Sequence, residues 1–370
     1  MTKRNIENMI RPYIKDIVGY DPVKHPDSIK QNNSSITKII KLNGNENPYG
    51  TSPKISSSLN NYPIHIYPDP NQNKIRQKLA EHVGADILPS QIIAGAGSDE
   101  IIELLLKLFI NPQDEIIIPE PTFGMYRFFS AISQAKTINI PRDERFDVDI
   151  NTTISNINDK TKMIFLCSPN NPTGNLISIT DTQKILETGI ITVIDEAYYE
   201  FAGSGSSVIK LTTQYDNLII LRTFSKWAGL AALRIGYGIM SQILVNYLLS
   251  IKTPYNINIV AENAMLLALE DKDFLMDRIQ NIIDERDNFI AELKHISFIK
   301  PYPSHANFVL CEFESSTVAN KLNLYLQQNG IFIRTYPNQK RLENFLRISI
   351  GTSDQMKFLL AKIKEFKHIK

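Results

Sequence analysis

The chain has 370 residues, 43% of them hydrophobic and 21% charged, and its 40 basic and 39 acidic side chains leave a formal net charge of +1. That composition is ordinary for a globular protein with room for roughly two domains of ~150 residues each and a sizeable core. It speaks against a nucleic-acid partner or a membrane surface held by charge, and no run approaches the ~18 apolar residues that a membrane span needs. Cys167 and Cys311 form no CxxC and no histidine-associated spacing, so no metal is expected. Nothing apolar follows Met1–Ile6, so no signal peptide is read there, and reduced thiols in a cytoplasmic protein are expected.

Residues 1–45 read as an N-terminal arm, partly helical, with a loop at Asn32-Asn33-Ser34-Ser35. Residues 72–83 place Ile75, Leu79 and Val83 on one helical face. The run Ile92-Ile93-Ala94 ends in Gly95-Ala96-Gly97, after which Ser98 is read as the N-cap of a helix reaching Ile110. Four apolar runs follow at 115–118, 162–167, 190–195 and 217–222, each bounded by turn residues. Continuous apolar runs without alternation suit strands buried on both faces of a parallel sheet. Helical patterns such as 179–188 separate them, which predicts a doubly wound, mostly parallel α/β domain over 46–256. From 257 to 370 the pattern predicts a smaller α+β domain. It has a long helical region over 258–295, strands near 308–312, 331–334 and 345–350, and a closing helix near 353–367.

In open α/β sheets ligands sit beyond the carboxyl ends of the strands. After Ala94 come glycines and Ser98-Asp99 at a helix start, where free N–H groups favour a phosphate, although such a segment alone is more often only a turn and cap. After Cys167 comes the rigid loop Ser168-Pro169-Asn170-Asn171-Pro172-Thr173-Gly174, which holds an amide in place. After Ile194 comes Asp195-Glu196-Ala197-Tyr198, a carboxylate that needs a partner if buried. After Leu221 come Ser225 and Lys226, with Arg234 eight residues beyond the lysine among small residues.

A phosphate cradle, an amide, a carboxylate and a lysine at four strand ends match the groups of pyridoxal 5'-phosphate. Its aldehyde is captured by a lysine as an imine, and its ring nitrogen stays protonated beside a carboxylate. Its phenolic oxygen takes hydrogen bonds, and its phosphate takes a helix N-terminus, hydroxyls and a guanidinium.

These segments, from Leu42-Asn43-Gly44-Asn45-Glu46-Asn47-Pro48 to Leu346-Arg347-Ile348-Ser349-Ile350-Gly351, resemble the aminotransferases of pyridoxal-phosphate fold type I, and within them the histidinol-phosphate aminotransferases. The resemblance implies that Lys226 holds the cofactor as a Schiff base and shuttles a proton, and that Asp195 pairs with the ring nitrogen. It implies Asn171 and Tyr198 at the phenolic oxygen, with Tyr198 and Asp195 joining Lys226 in catalysis. Ser98, Asp99, Ser225 and Arg234 fall around the phosphate, and Phe123 stacks on the ring in place of the family's more usual Tyr or Trp. Tyr67 matches a residue that reaches the phosphate of a neighbouring subunit, which implies a homodimer with shared sites. Arg347 and Arg334 match arginines that hold the substrate's carboxylate and phosphate, and Asn45 and Tyr13 match positions near the substrate. Thr335-Tyr336-Pro337 departs from the family's usual loop after Arg334.

The implied reaction is transamination from L-histidinol phosphate to 2-oxoglutarate, giving imidazole-acetol phosphate and L-glutamate in histidine biosynthesis. An aromatic or branched-chain aminotransferase, or a lyase such as a threonine-phosphate decarboxylase, shares Lys226, Asp195, Asn171 and Arg234 and is the alternative within enzymes. A cofactor-binding regulator would carry a DNA-binding domain, and the stretch before Leu42 has no helix-turn-helix pattern and no basic surplus.

Overall fold

The computed structural model describes residues 6–23, 26, 28, 36, 38–58, 63–203 and 205–366. The loop expected at Asn32–Ser35 lies outside the described residues. Twelve strands form two sheets among them. In chain order they are β1 (Ile40–Leu42), β2 (Ile92–Gly95), β3 (Glu115–Glu120), β4 (Lys136–Pro141), β5 (Thr161–Cys167) and β6 (Ile191–Asp195), then β7 (Leu218–Thr223), β8 (Gly236–Ile239), β9 (Ile299–Pro301), β10 (Phe308–Phe313), β11 (Ile331–Thr335) and β12 (Phe345–Ser349). The large sheet runs β2-β8-β7-β6-β5-β3-β4, parallel throughout except that β8 is antiparallel to both its neighbours.

The unbroken apolar runs of β3, β5, β6 and β7 have a direct cause. Successive side chains point to opposite faces, and each face is covered. Ile117, Ile164, Ile194 and Ile220 enter one core cluster, while Ile116, Phe165, Val193 and Ile219 enter the other. The helices Asn73–Val83 and Ile179–Leu186 cover the first face, and Ser98–Phe109, Met125–Ile132 and Gln242–Ile251 cover the second. The architecture is α/β, with a doubly wound sheet.

The second sheet runs β1-β11-β12-β10-β9 and is antiparallel apart from the β1–β11 pair. The structure departs from the sequence reading in four places. Residues 40–42, read as arm, are an edge strand on this C-terminal sheet. β4, β8 and β9 were not anticipated: β4 is a mostly exposed edge strand, β8 carries two glycines in four residues, and β9 has only three residues. The helical region 258–295 is two helices, Ile259–Glu270 and Lys272–Leu293, broken at Asp271. Ser98 is the first helical residue rather than the cap; Gly97, at φ +81°, holds the cap position without a side-chain bond. Among the described residues no helix is long and apolar enough to cross a membrane.

Just beyond the end of β6 lies a buried ion pair. Arg222 Nε and Nη2 donate to Glu196 Oε2 at 3.0 and 2.9 Å, and both side chains are almost fully buried. Glu196 also accepts from Ser207 Oγ and the Val208 amide, so the pair pins the 199–208 loop to the sheet. Breaking one partner strands a buried charge. Arg222→Met is expected to lower unfolding free energy by about 3–5 kcal/mol, read from urea denaturation followed by circular dichroism.

Candidate active site

The strand ends β5, β6 and β7 open onto one cavity of about 330 Å³, closed from the other side by the second sheet. Lys226, Asp195, Asn171, Tyr198, Ser98, Asp99, Phe123, Ser225, Arg234, Asn45, Arg334 and Arg347 all line it. Two anticipated residues do not. Tyr13 lies in a 3-10 helix against a neighbouring outer cavity. Tyr67 is 77% exposed and stacks on Tyr255 with ring centroids 4.4 Å apart.

Asp195 ends β6, and its register partner on β5 is Cys167. It is buried without a cation at bonding distance among the described residues. Its carboxylate accepts from the Tyr126 hydroxyl at 2.7 Å and from the Ala197 amide at 3.0 Å. Burial is the largest influence on it and pushes its pKa up to about 6, against those two hydrogen bonds. Lys226 follows β7 by three residues, and its ammonium donates to the Gly44 carbonyl at 3.3 Å. Burial, reinforced by Arg347, lowers its pKa to about 8. A carboxyl shifted up and an amine shifted down in one cleft is the pattern expected where groups are tuned for chemistry.

The amide and phenol stand together. Tyr198 hydroxyl accepts from Asn45 Nδ2 at 3.1 Å and from Asn171 Nδ2 at 3.4 Å. Asn171 Oδ1 accepts from Arg347 Nη1 at 2.6 Å, and Arg347 Nη2 donates to the Asn43 carbonyl at 2.7 Å. Asn45, at φ +51°, exchanges bonds with Ser349 and accepts at its carbonyl from Asn307. Asn170 fixes the preceding loop by bonding Thr122, the Pro121 carbonyl and Thr173.

The cradle forms where the helix Ser98–Phe109 starts beside β8. Gly97 holds φ +81°, and a Cβ on Gly236 would stand 2.5 Å from the Ser98 amide nitrogen, so glycine is required at both positions. Arg234, itself at φ +52°, pairs with Asp99 at 3.1 Å and donates to Ser225 Oγ at 3.4 Å. Amide N–H groups, a hydroxyl and a guanidinium thus converge, a donor set suited to a phosphate. Arg334 and Arg347 are register partners on β11 and β12. Arg334 Nη2 donates to the Asp21 carbonyl at 2.9 Å, and the Asp21 carboxylate lies 3.5 Å away.

Two residues that shape the site carry no mark in the sequence. Tyr126 is a core aromatic behind the cavity wall; it stacks on Phe165 and bonds Asp195. Tyr20, from the arm, meets Phe123 edge-on at 6.3 Å. Nothing in the local pattern marks either, because both act across tertiary contacts.

The raised Asp195 carboxyl has a stability consequence. A group whose folded pKa lies above its unfolded value adds stability below the unfolded value, and that contribution is lost as pH rises through the folded one. Ligand-free wild type is therefore expected to lose up to about 3 kcal/mol relative to Asp195→Asn between pH 4 and pH 7, measured as paired urea melts. A constant difference across that range would contradict the assignment.

The model of the family described as aminotransferase class I and II matches residues 37–363. A histidinol-phosphate aminotransferase of Dehalococcoides mccartyi is 42% identical over 362 residues, covering 98% of each chain. The crystal structure of the histidinol-phosphate aminotransferase from Clostridium acetobutylicum superposes with a TM-score of 0.82 at 29% identity, covering 90% of this chain and 100% of that one. One from Sinorhizobium meliloti, solved in complex with pyridoxal-5'-phosphate, has a TM-score of 0.84 at 24% identity over 95% of each chain, a likeness of fold. The architecture is that of the fold type I aminotransferases. The chain belongs to the class I and II aminotransferases, and within them to the histidinol-phosphate aminotransferase family.

Proposed function

We propose that this protein transfers the amino group of L-histidinol phosphate to 2-oxoglutarate, with pyridoxal phosphate carried on Lys226. The observation that carries the reading is the single cavity in which Lys226 and the buried, cation-free Asp195 share walls with the register-paired Arg334 and Arg347. The 42% identity to a relative of that name over nearly the whole chain supports the choice of donor.

The residues present fit the cofactor. Asp195 has no cationic partner among the described residues, and the glycine-lined cradle of Ser98, Asp99, Ser225 and Arg234 is a phosphate-sized donor set. When bound, pyridoxal phosphate supplies an aldehyde that captures amines and a protonated ring that takes up the electron pair of a broken Cα–H bond. Asp195 would keep the ring nitrogen protonated. Asn171 and Tyr198, already hydrogen-bonded to each other, would donate to the ring oxygen. Phe123 would cover one ring face, as an aromatic without a polar tip.

Lys226 would hold the cofactor covalently and then act as the base at the substrate Cα. Its lowered pKa leaves a substantial neutral fraction near pH 8, which a proton carrier needs. Arg347 would bind the acceptor's carboxylate, and Arg334 the donor's phosphate, by planar forks. The amino group must be parked between two half-reactions, so donor and acceptor use the site alternately.

The same reading includes a homodimer with shared sites. Beside Tyr67 and Tyr255, the large apolar residues Ile64, Ile66, Ile243, Tyr247 and Ile251 stand exposed, the last three at four-residue spacing along one helix. Exposed apolar surface of this kind is suited to a protein partner, and a second copy would bring Tyr67 to the neighbour's phosphate cradle. The buried free thiols of Cys167 and Cys311 suit the cytoplasm.

Two experiments test these proposals. A panel of amino donors with 2-oxoglutarate, scored by glutamate formed, is expected to rank histidinol phosphate first, with Lys226→Ala losing both turnover and the bound cofactor's absorbance. Faster turnover of phenylalanine or leucine, or release of carbon dioxide, would reject the donor assignment. Mixing Lys226→Ala with Tyr67→Ala subunits under exchange is expected to restore activity that neither variant has; failure to do so in demonstrably mixed dimers rejects shared sites.

A further inference from the structure

Tyr336, two residues beyond Arg334, has no part in the roles assigned so far. Its ring packs against the cluster formed by Phe146, Leu310, Leu342 and Phe345. Tyr336 lines the same cavity as Arg334 and Arg347. Its hydroxyl oxygen is fully buried and has no hydrogen-bond partner among the described residues. Arg347 is the charge that acts on it most strongly, followed by Arg334, and Arg347 also acts on it as a donor. A guanidinium carries donors only, so even a closer Arg347 could fill only the oxygen's lone pairs. The phenolic proton is left without an acceptor. Burial raises the phenol's pKa, so that proton stays in place. Arg347 Nε is a second buried donor on this wall without a partner. Buried donors are ordinarily paired; Asn43 Oδ1 and Gln339 Oε1 are open acceptors of the same cavity, but the open Tyr336 hydroxyl and Arg347 Nε stand with the Arg334 guanidinium, a donor-rich wall suited to an anion.

We propose that Tyr336 is a specificity-determining residue whose hydroxyl donates to a terminal oxygen of the substrate's phosphate. This rests on the reading above that the donor is a phosphate ester. The stoichiometry of oxygens gives the selectivity. A carboxylate presents two oxygens, which two arginine forks can saturate. A phosphate monoester presents three, and the third needs a further donor on the same wall. Tyr336 supplies it, so the hydroxyl favours phosphate over carboxylate where the arginines alone attract both. In the sequence, Thr335-Tyr336-Pro337 stands out only as a departure from the family's usual loop.

The test uses the cofactor-loaded Tyr336→Phe enzyme, which keeps the ring and removes only the hydroxyl. We compare KM for histidinol phosphate and 2-oxoglutarate, and inhibition constants for inorganic phosphate and glutarate. The expected result is weakening of about tenfold or more for histidinol phosphate and inorganic phosphate, with 2-oxoglutarate and glutarate changed less than about twofold. Equal weakening of all four, or of none, overturns the inference. Should Tyr336→Phe not accumulate as folded protein, Tyr336→Leu is held to the same two expectations. The two readings fail separately. Wild type that turns over histidinol phosphate while Tyr336→Phe matches it sinks this inference alone. Wild type that ignores histidinol phosphate yet binds inorganic phosphate through Tyr336 sinks the donor assignment and keeps the anion site.

Discussion

The structure is organised around a carboxylate kept out of water. Asp195 ends a strand buried on both faces and, among the described residues, meets no counter-ion and receives a phenol and an amide. Burying a charge this way is unfavourable, and the raised pKa near 6 expresses it. The large sheet tolerates this because its hydrophobic faces are extensive, and stability stored there supports strain at the site. Lys226 has the complementary condition, an amine whose proton is disfavoured by burial and by Arg347. The two groups sit in one cavity, and a ligand with a cationic ring nitrogen and an electrophilic carbon relieves both.

A hydrogen-bonded chain connects the two sheets across that cavity. Ser349 on β12 bonds Asn45, Asn45 bonds Tyr198, Tyr198 meets Asn171, and Asn171 accepts from Arg347, which returns to β12. The chain closes on itself through β12, and Asn45, Tyr198, Asn171 and Arg347 are each held by two neighbours. Its members come from the segment after β1, the loop after β5, the loop after β6, and β12. Buried polar networks of this type define one arrangement strongly, because losing any member strands the others. Arg286 adds a second tie, donating to the Phe201 and Ala306 carbonyls from the helix Lys272–Leu293.

The parts legible in sequence are those set by neighbours along the chain. The runs at β3, β5, β6 and β7 were visible because burial on both faces demands continuous apolar residues, and the chemistry at their ends could be read off by position. β4, β8, β9 and β1 were invisible for an equally physical reason. β4 is an exposed edge with little apolar content. β8 is half glycine because its backbone approaches Ser98 at Gly236 and the Met240 and Ile101 side chains at Gly238, and β1 is three residues long, too short to show a pattern before it pairs with β11 and buries Ile40 and Leu42. The break at Asp271 was hidden because helical periodicity continues on either side of it.

The residue sequence by itself determined the alternating α/β order, the strand-end placement of Asn171, Asp195, Ser225 and Lys226, and the resemblance that names a cofactor. These depend on local pattern, in which burial and spacing leave a direct trace. Tertiary structure alone decided that Tyr126 supports Asp195, that Tyr20 and Asn43 come from the first 45 residues to line the cavity, and that Tyr336 presents an unfilled hydroxyl beside two arginines. An aromatic residue in a sequence is as suited to packing as to binding, and only the direction in which its polar atom points, after distant segments have met, separates the two.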